Sequence, residues 1–379
     1  MYDLLLGVHE ELVKQGSGLR IRRGPAIDVF RELLEEWRVE AVYCNHGYEP
    51  AERERDQQLS EFLQAHGIAF RTFKDQVIFE KSEVVKDDGR PYTVFTPYSK
   101  RWKESLKTIN LEAAPLPTPQ NLVQGSPETL PSLSGLGFVY RKTELPDLSR
   151  TMQSLIGDYE TRREKPAVEG TTRLGPQLRF GGLSIRKLVS QAAVQSPALL
   201  NELIWREFFH VILWHYPHTV HQSFRPEYDW IPWRNDEAAF ERWCAGRTGY
   251  PLVDAGMRQL EATGWMHNRV RMVVAGFLCK HLLIDWRWGE AWFAQHLIDY
   301  DQASNVGNWQ WAAGSGVDAA PYFRIFNPET QAQRFDPGAI YQKRWVPELG
   351  TAEYPAPMID HREARERCLR VFREGLKRG

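Results

Sequence analysis

The spacing of apolar residues changes part-way along the chain, and this change constrains the fold more than any other feature of the sequence. In the first third, segments with helical and strand-like periodicity alternate. Helices are predicted at residues 1–15, 25–37 and 51–66, and strands at 19–23, 41–47, 68–74 and 77–80. Alternation of this kind is typical of a parallel sheet with crossover helices.

Beyond Asp147 the strand signals stop, and the sequence predicts helices only. Apolar residues recur at helical spacing in the segments 147–157, 184–195, 198–215, 237–244, 252–263, 266–284, 289–298 and 359–376. Between the two parts, residues 112–135 carry five prolines among small polar residues, a composition typical of a linker. The sequence therefore predicts an α/β domain at 1–108, a linker at 109–145 and an all-α domain at 146–379.

Charge and cysteine content narrow the class of protein. The 48 Lys and Arg residues nearly balance the 49 Asp and Glu residues, so a basic face for nucleic acid has to come from local arrangement rather than bulk charge. The four cysteines are scattered without C-x-x-C spacing, which argues against a disulfide framework or a zinc site and favours a reducing compartment. No apolar run reaches the roughly 18 residues of a membrane helix, so we expect no membrane partner. With the cysteine spacing, this predicts a cytoplasmic protein without a bound metal.

The stretch 299–323 is the most unusual part of the helical region. It combines Asp299, Asp301 and Asn305 with Trp309 and Trp311 among Gly, Ala and Ser. We interpret it as a segment too polar for a core helix and too rich in small residues for an ordinary surface helix. Two interpretations stay open: a loop between helices with two buried aromatic rings, or a wall against which a large flat ligand lies.

Three other groups of residues are candidates for binding a ligand, and each also has a purely structural interpretation. In 169–184, Thr171, Thr172 and Arg173 precede helical sequence, which suits a phosphate or a plain helix start. Glu202, Trp205 and Arg206 share one helix face, as a site for a planar ligand or as an intrahelical ion pair beside a core Trp. In 264–272, Asn268, Arg271 and Met272 share a face while Arg269 points elsewhere, as a binding surface or as a solvated basic turn. His267 lacks a partner at ligand spacing and is interpreted as a hydrogen-bonding group.

Taken together and in this order, these residues resemble the photolyase/cryptochrome family and, within it, the class I cyclobutane pyrimidine dimer photolyases. The resemblance covers nearly the whole chain. It is strongest in the pattern Y-x-x-x-R-x-x-P-x-x-x-G-T-T-R-L from Tyr159, in NELIWREFF (201–209), in GRTGYPLVDAGMRQLEATGWMHNRVRM (246–272), in IDWRWGE (284–290) and in DYDQASNVGNWQWAAGSGVDAAPYFRIFNP (299–328). It implies an α/β antenna-type domain and a helical domain that binds one FAD non-covalently, in a carbon–carbon lyase that repairs UV-damaged DNA with light as a monomer.

The resemblance also implies residue roles. The FAD would be contacted by Tyr159, Thr171, Thr172, Arg173, Leu174, Gly175, Arg271, Asp299, Asp301 and Asn305, with Asn305 beside flavin N5. The pocket for a flipped dimer would contain Glu202, Trp205, Asn268, Met272 and Trp311, where Glu202 donates a hydrogen bond to a thymine carbonyl. DNA would contact Arg163, Arg206, Arg269 and Gln331. Trp309, Trp286 and Trp233, which spacing alone would assign to the core, match the electron relay to the surface.

The chain departs from the family pattern at its front. Family members begin with a strand and a W-F-R-R-D-L-R type motif, so the first strand or strands of the antenna domain are predicted to be missing. Ala51 replaces the Asn that folate-binding relatives use, while Glu52 remains, so the antenna pigment is left open between folate, deazaflavin and none. Met266-His267-Asn268 favours the cyclobutane dimer over the (6-4) lesion. The rival interpretations are a cryptochrome photoreceptor and a repair-inactive DNA-binding flavoprotein.

Overall fold

The computed structural model describes residues 1–112, 118–140, 148, 151–152 and 156–377. The chain divides into two compact units. The first comprises Met1–Ile78, Asn110–Leu145 and Phe180–Leu188, and the second comprises Phe79–Ile109, Pro146–Arg179 and Val189–Gly379. The predicted domain limits stay a prediction, but residues 79–109 group with the helical unit.

The first unit is a small α/β arrangement. It contains α1 (Tyr2–Lys14), α2 (Ala26–Glu36), β1 (Ala41–Asn45), α3 (Pro50–Ala65) and β2 (Ala69–Phe73). The strands pair in parallel, with Ala41 opposite Ala69 and Asn45 opposite Phe73. Pro50 at the first position and a reciprocal capping box between Glu49 and Glu52 start α3. Leu59, Leu63 and Ile68 form the buried core of this unit. The predicted class, a parallel α/β part followed by a helical part, is confirmed.

Two predicted strands of this region are wrong. Within the described residues the sheet has two strands, and neither 19–23 nor 77–80 is among them. The side chains of Arg20 and Arg22 form ion pairs with Glu128. Val77, Ile78 and Phe79 are buried, yet the backbone N–H of Phe79 donates to the Glu207 carboxylate at 2.9 Å. The backbone N–H of Leu19 donates to His9 Nδ1 at 3.0 Å, so in each segment a backbone donor pairs with a side chain rather than with a neighbouring strand.

The linker segment lies against the first unit where the structure describes it. Tyr2 donates its hydroxyl proton to the carbonyl of Pro131 at 2.9 Å, and Gly125 donates to the carbonyl of Gly16 at 3.0 Å. A short 3₁₀ turn spans Pro119–Asn121. Residues 113–117 and 141–145 of the predicted linker, and more than half of the predicted helix 147–157, lie outside the described residues.

Helices build the rest of the described chain. Their bounds are α4 (Phe95–Leu106), α5 (Ile156–Arg162), α6 (Gly175–Arg179), α7 (Ile185–Gln195), α8 (Pro197–His215), α9 (Glu237–Cys244), α10 (Pro251–Thr263), α11 (Asn268–Gly276), α12 (Trp286–His296), α13 (Gln302–Ala313), α14 (Pro328–Phe335), α15 (Ile340–Trp345) and α16 (His361–Gly375). The predicted helix at 266–284 is in fact α11, started by the side chain of His267, followed by a π-helical turn Phe277–Leu282. None of the helices in the described part of the chain combines the length and apolarity needed to cross a membrane.

The interpretation of 299–323 as a loop between helices is wrong for residues 302–313, which form a helix. This helix is α13, whose first turn is capped by Asp301 Oδ1 accepting from the Ser304 N–H at 2.9 Å. Its small residues serve packing, because a Cβ built on Gly307 would overlap the ring of Phe209 on α8. Gly314 ends the helix in the left-handed conformation, with φ of 96°. Small residues therefore indicate close helix–helix approach here.

We expect Gly307→Ala to destabilise the protein by about 1–3 kcal/mol, since the added methyl group has to displace a buried aromatic ring. Gly276→Ala is the matched control. It is also helical, but its new Cβ would have Phe326 as nearest neighbour at 3.8 Å, an ordinary contact. That control should be neutral or slightly stabilising. Urea unfolding of both variants measures the difference, and equal stabilities would contradict the packing argument.

Candidate functional site

Two adjoining cavities open in the helical unit. The smaller, with an open volume of about 590 Å³, lies among α11, α12 and α13. The larger, of about 1150 Å³, lies among α5, α8, α11 and α13. They share one wall of five residues: Asn268, Met272, Ser304, Asn308 and Trp311. Ser304, Asn308 and Trp311 follow helical spacing, which sequence reasoning missed because it did not predict α13.

An ion pair at the edge of the smaller cavity joins two predicted residues. Arg271 Nη2 donates to both carboxylate oxygens of Asp299, at 2.9 and 3.2 Å, and Arg271 Nε donates to the carbonyl of Met266 at 2.8 Å. Gly175 lies against this pair, since a Cβ there would be 2.8 Å from the Asp299 Cβ. The absence of a side chain at Gly175 thus lets the start of α6 approach the cavity.

Asp301 is the most strongly held carboxylate of the site. It is buried, and its Oδ2 lies 3.2 Å from His210 Nε2 and 3.9 Å from Arg206 Nη2. Burial alone would raise the pKa of Asp301, but the charge and hydrogen bond of His210 and the charge of Arg206 lower it below its ordinary value. Asp301 is therefore ionised, and it joins α8 to α13 through charge as well as through its helix cap.

Asn305 is oriented by a residue that the sequence interpretation overlooked. Its Nδ2 donates to Glu290 Oε1 at 2.9 Å and to the backbone carbonyl of Glu290 at 3.2 Å. Burial raises the pKa of Glu290, although its hydrogen bonds with Asn305 and Tyr300 act in the opposite direction. The Asn305 amide is thus fixed at the wall of the smaller cavity. Glu290 stands within the IDWRWGE segment, but no spacing rule connects it to Asn305.

The α8 face that spacing predicted lines the larger cavity. Glu202, Trp205 and Arg206 all contribute to its lining. Trp205 stacks face to face on Phe95, with ring centroids 3.7 Å apart and planes at 4°. Phe95 comes from the start of α4, more than a hundred residues away, so sequence reasoning could not find it. Backed by Phe95, the indole of Trp205 is held as a flat platform.

Acids hold the arginines of the larger cavity. Arg163 Nη1 donates to Glu202 Oε1 at 2.7 Å, and Arg269 Nε donates to Glu164 Oε2 at 2.8 Å. Glu164 was not predicted as a site residue. Burial, with the neighbouring charge of Glu202, raises the pKa of Tyr159 to about 12, so its hydroxyl remains a donor. The charged groups of the larger cavity are thus already paired, so a ligand that binds one of them has to replace its present partner.

The remaining predicted residues divide between the cavity rim and other places. Thr171 lines the larger cavity, and Arg173, in a left-handed conformation, lies over the ring of Trp265 at 4.1 Å. Thr172 is half-buried and Leu174 is buried beside them. Gln331 lies on α14, outside the lining of both cavities.

The three tryptophans of the predicted relay lie in and beside one core. Trp309 lines the smaller cavity, and a Cβ on Gly289 of α12 would overlap its ring. Trp286, at the start of α12, is buried in the same apolar cluster. Trp233 is half-buried at the edge of that cluster, with its ring 5.6 Å from Phe372. The ring neighbours of Trp309 are Phe293 at 5.0 Å and Trp243 at 6.2 Å.

The chemistry of the smaller cavity suits a flat heteroaromatic ligand. Phe293, Trp309 and Trp311 supply ring surfaces, while Arg271, the carboxylates and Asn305 supply polar partners at the edge. A ligand pocket is typically apolar with a few fixed polar groups and occupies about 300–1,000 Å³. A ligand that is longer than the smaller cavity can continue along the wall shared with the larger one.

Comparison with known proteins gives consistent matches. Residues 1–120 match the family model described as DNA photolyase, and residues 199–374 match the model described as the FAD binding domain of DNA photolyase. A deoxyribodipyrimidine photo-lyase of Halobacterium salinarum is 37% identical, over 98% of this chain and 86% of the relative.

Two solved structures resemble the whole chain. A bacterial class III photolyase from Agrobacterium tumefaciens matches with a TM-score of 0.87 and 35% identity, over 98% of this chain and 87% of the other. A Synechocystis cryptochrome matches with a TM-score of 0.81 and 26% identity, over 97% of this chain and 86% of the other.

The ionised Asp301 is expected to contribute stability that depends on pH. Asp301→Asn keeps a capping side chain but leaves His210 and Arg206 facing a neutral amide, so we expect a loss of about 3 kcal/mol at neutral pH. Because the pKa of Asp301 is lower in the folded than in the unfolded state, its contribution is complete above about pH 4 and is lost as the pH falls further.

Urea unfolding at about pH 7, 4 and 3 measures this effect. Wild type should lose stability below about pH 4 more steeply than Asp301→Asn. Asp158→Asn is the matched control, because the Asp158 side chain is 68% exposed on α5. The control should change stability by less than about 0.5 kcal/mol. Parallel pH curves for wild type and Asp301→Asn would contradict the assignment of an ionised, buried Asp301.

Proposed function

This chain belongs to the photolyase/cryptochrome family, and from that premise we propose that it is a light-dependent deoxyribodipyrimidine photo-lyase that splits cyclobutane pyrimidine dimers in DNA. The observation that carries the proposal is the pair of cavities with a common wall. Such a wall would place a planar cofactor and a flipped lesion a short distance apart, and electron transfer is fast only over short distances. The subclass within the family stays a prediction.

FAD fits the residues of the smaller cavity. We propose that Arg271, Asp299, Asp301 and Asn305 hold its ring edge, and that Tyr159 and the run Thr171, Thr172, Arg173, Leu174 and Gly175 contact its phosphates and sugar chain. When bound and reduced, FAD would lend on illumination the electron that opens the dimer, and the separated pyrimidines would return that electron to the flavin. Asn305, oriented by Glu290, presents a fixed amide to the ring edge. Because Arg271 and Asp299 neutralise each other, the ring edge would face an ion pair rather than an isolated charge.

The larger cavity suits a flipped pyrimidine dimer. A base inside a duplex is out of reach of the cavity interior, and photolyases are among the enzymes that flip their target out of the stack. Trp205, backed by Phe95, offers a stacking surface at one side, and Trp311 offers another. Asn268 and Met272 form part of the wall toward the smaller cavity.

Glu202 has to change its partner during the reaction. Without DNA, its Oε1 accepts from Arg163 at 2.7 Å. A carboxylate accepts only, so Glu202 needs a proton before it can donate to a thymine carbonyl and stabilise charge there. In this proposal Arg163 leaves Glu202 for a DNA phosphate, and the Glu202 carboxyl group is then free to turn to the lesion.

The other roles that the family resemblance implies are proposals of the same kind. Trp309, Trp286 and Trp233 carry electrons between the smaller cavity and the surface. Arg206 and Arg269 join Arg163 in contacting phosphates, which supply affinity that does not depend on sequence. Gln331 contacts DNA from α14, outside the two cavities. We further propose a cytoplasmic monomer, with domains at 1–108 and 146–379 joined by the linker at 109–145, whose antenna pigment is undecided.

A repair assay tests the function. The purified protein is analysed for bound FAD and mixed with an oligonucleotide carrying one cyclobutane dimer, in blue light and in darkness. Repair in light alone supports the proposal. Repair in both conditions, or in neither when the flavin is reduced, contradicts it. Bound FAD without repair would favour the cryptochrome reading, which the Synechocystis relative also suggests.

Glu202→Gln should lower the repair yield while FAD remains bound, because a neutral amide holds a carbonyl less strongly than a protonated carboxyl group does. Removing one such stabilising group typically costs about 10²–10³-fold in the rate of a catalysed step, an upper bound for this site. Repair yield per absorbed photon and the flavin-to-protein ratio are the two measurements. Loss of FAD from the variant would show that Glu202 belongs to the cofactor site instead.

A further inference from the structure

Glu164 lies between two arginines of the larger cavity, and no catalytic or binding role has been assigned to it above. We propose that Glu164 competes with DNA phosphate for Arg269 and thereby weakens the binding of DNA, damaged or not. This inference rests on the proposed function, because it takes the larger cavity as the place where a DNA strand arrives. It makes Glu164 a residue that sets how tightly the protein holds DNA.

The geometry of the pair is that of an occupied phosphate site. Arg269 donates from Nε to Glu164 Oε2 at 2.8 Å, and its Nη2 contacts the same oxygen. Glu164 Oε1 also lies 3.5 Å from Arg163 Nε. Carboxylate and phosphate oxygens compete for the same guanidinium donors, since both accept paired N–H bonds from arginine. While Glu164 is bound, the Nε–Nη2 edge of the Arg269 guanidinium is occupied, and that edge can donate two parallel hydrogen bonds to a phosphate.

The position of the pair allows the exchange. The Glu164 side chain is 38% exposed and that of Arg269 is 20% exposed, so both groups lie at the rim of the cavity. The guanidinium of Arg269 also lies over the ring of Phe335 at 4.3 Å, which holds it in place independently of Glu164. A phosphate can therefore replace the carboxylate without a large movement of Arg269.

The energetic consequence has a definite sign. A DNA phosphate that approaches Arg269 has to displace a carboxylate of the same charge, and the displaced carboxylate then remains close to the phosphate. Without the negative charge at 164, Arg269 is available to phosphate and the local repulsion disappears. Affinity for DNA should then rise. Its salt dependence should steepen as well, because one more phosphate is neutralised and about 0.9 more counterions are released.

The test compares Glu164→Gln with wild type, using a short undamaged duplex and the same duplex with one cyclobutane dimer. We expect tighter binding of both duplexes by Glu164→Gln. Between about 50 and 200 mM salt, its affinity should fall by about 3.5-fold more than that of wild type, which corresponds to one added phosphate contact. Binding is measured in darkness by fluorescence anisotropy.

Two controls separate a specific competition from a general change of charge. Glu169→Gln removes the same charge from the same segment, but Glu169 is 80% exposed and pairs with Arg173 at 3.7 Å instead. The salt dependence of DNA affinity should therefore be the same in Glu169→Gln as in wild type. In an Arg269→Gln background, the added Glu164→Gln should no longer steepen the slope, because the competing guanidinium is gone.

Each outcome decides the inference. The inference is overturned if the salt dependence of DNA affinity is the same in Glu164→Gln as in wild type. It is also overturned if Glu169→Gln changes that dependence equally, or if the effect of Glu164→Gln persists in the Arg269→Gln background. Glu164→Ala, which has no group able to hold Arg269, should give the same direction of change and guards against a folding defect of one variant. The repair assay on wild type separates the two hypotheses. Light-dependent repair by wild type with no effect of Glu164→Gln removes only the role of Glu164, whereas no DNA binding by wild type removes both.

Discussion

The close approach of α8 and α13 is the constraint on which the site depends. Gly307 lets the two helices come together over the ring of Phe209, and the pairing of Asp301 with His210 and Arg206 joins them through charge. From that crossing, α8 directs Glu202, Trp205 and Arg206 into the larger cavity. On α13, Ser304, Asn308 and Trp311 share a helix stripe with Gly307 and form part of the wall that both cavities share. One contact between helices thus sets the distance between the two halves of the site.

Compensated charge is the second theme of the site. Arg271 is matched by Asp299, Arg163 by Glu202 and Arg269 by Glu164. This explains how a chain with a net charge of −1 can present several arginines in one place. In the proposed function a DNA phosphate binds by exchange, since it replaces a carboxylate that already pairs with Arg163 or Arg269, whereas the Arg271–Asp299 pair faces the flavin edge intact. The cost of each exchange then determines affinity as much as the new contact does.

Aromatic rings give the site its rigidity. Trp205 is stacked on Phe95 and packed against Phe209, while Trp309 is enclosed by Phe293 and Trp243. Rings held in this way lose little conformational entropy when a flat ligand stacks on them. The site is therefore shaped before any ligand arrives, which suits the proposed photochemistry because donor and acceptor have to be held at a fixed distance.

The two-part organisation, most of the helices and the face of α8 follow from the amino-acid sequence alone, because these features depend on local periodicity and on residues three or four positions apart. The family resemblance can also be read from the sequence, because it depends on continuous runs of residues such as NELIWREFF. By contrast, long-range packing settles that 19–23 and 77–80 are not strands, that 302–313 is a helix, and that Phe95, Glu164 and Glu290 lie at the site. Each of these depends on a partner far away along the chain, such as Glu207 for Phe79, Phe209 for Gly307 and Arg269 for Glu164. Local propensity carries no information about such partners, because contacts between distant segments form only when the whole chain packs.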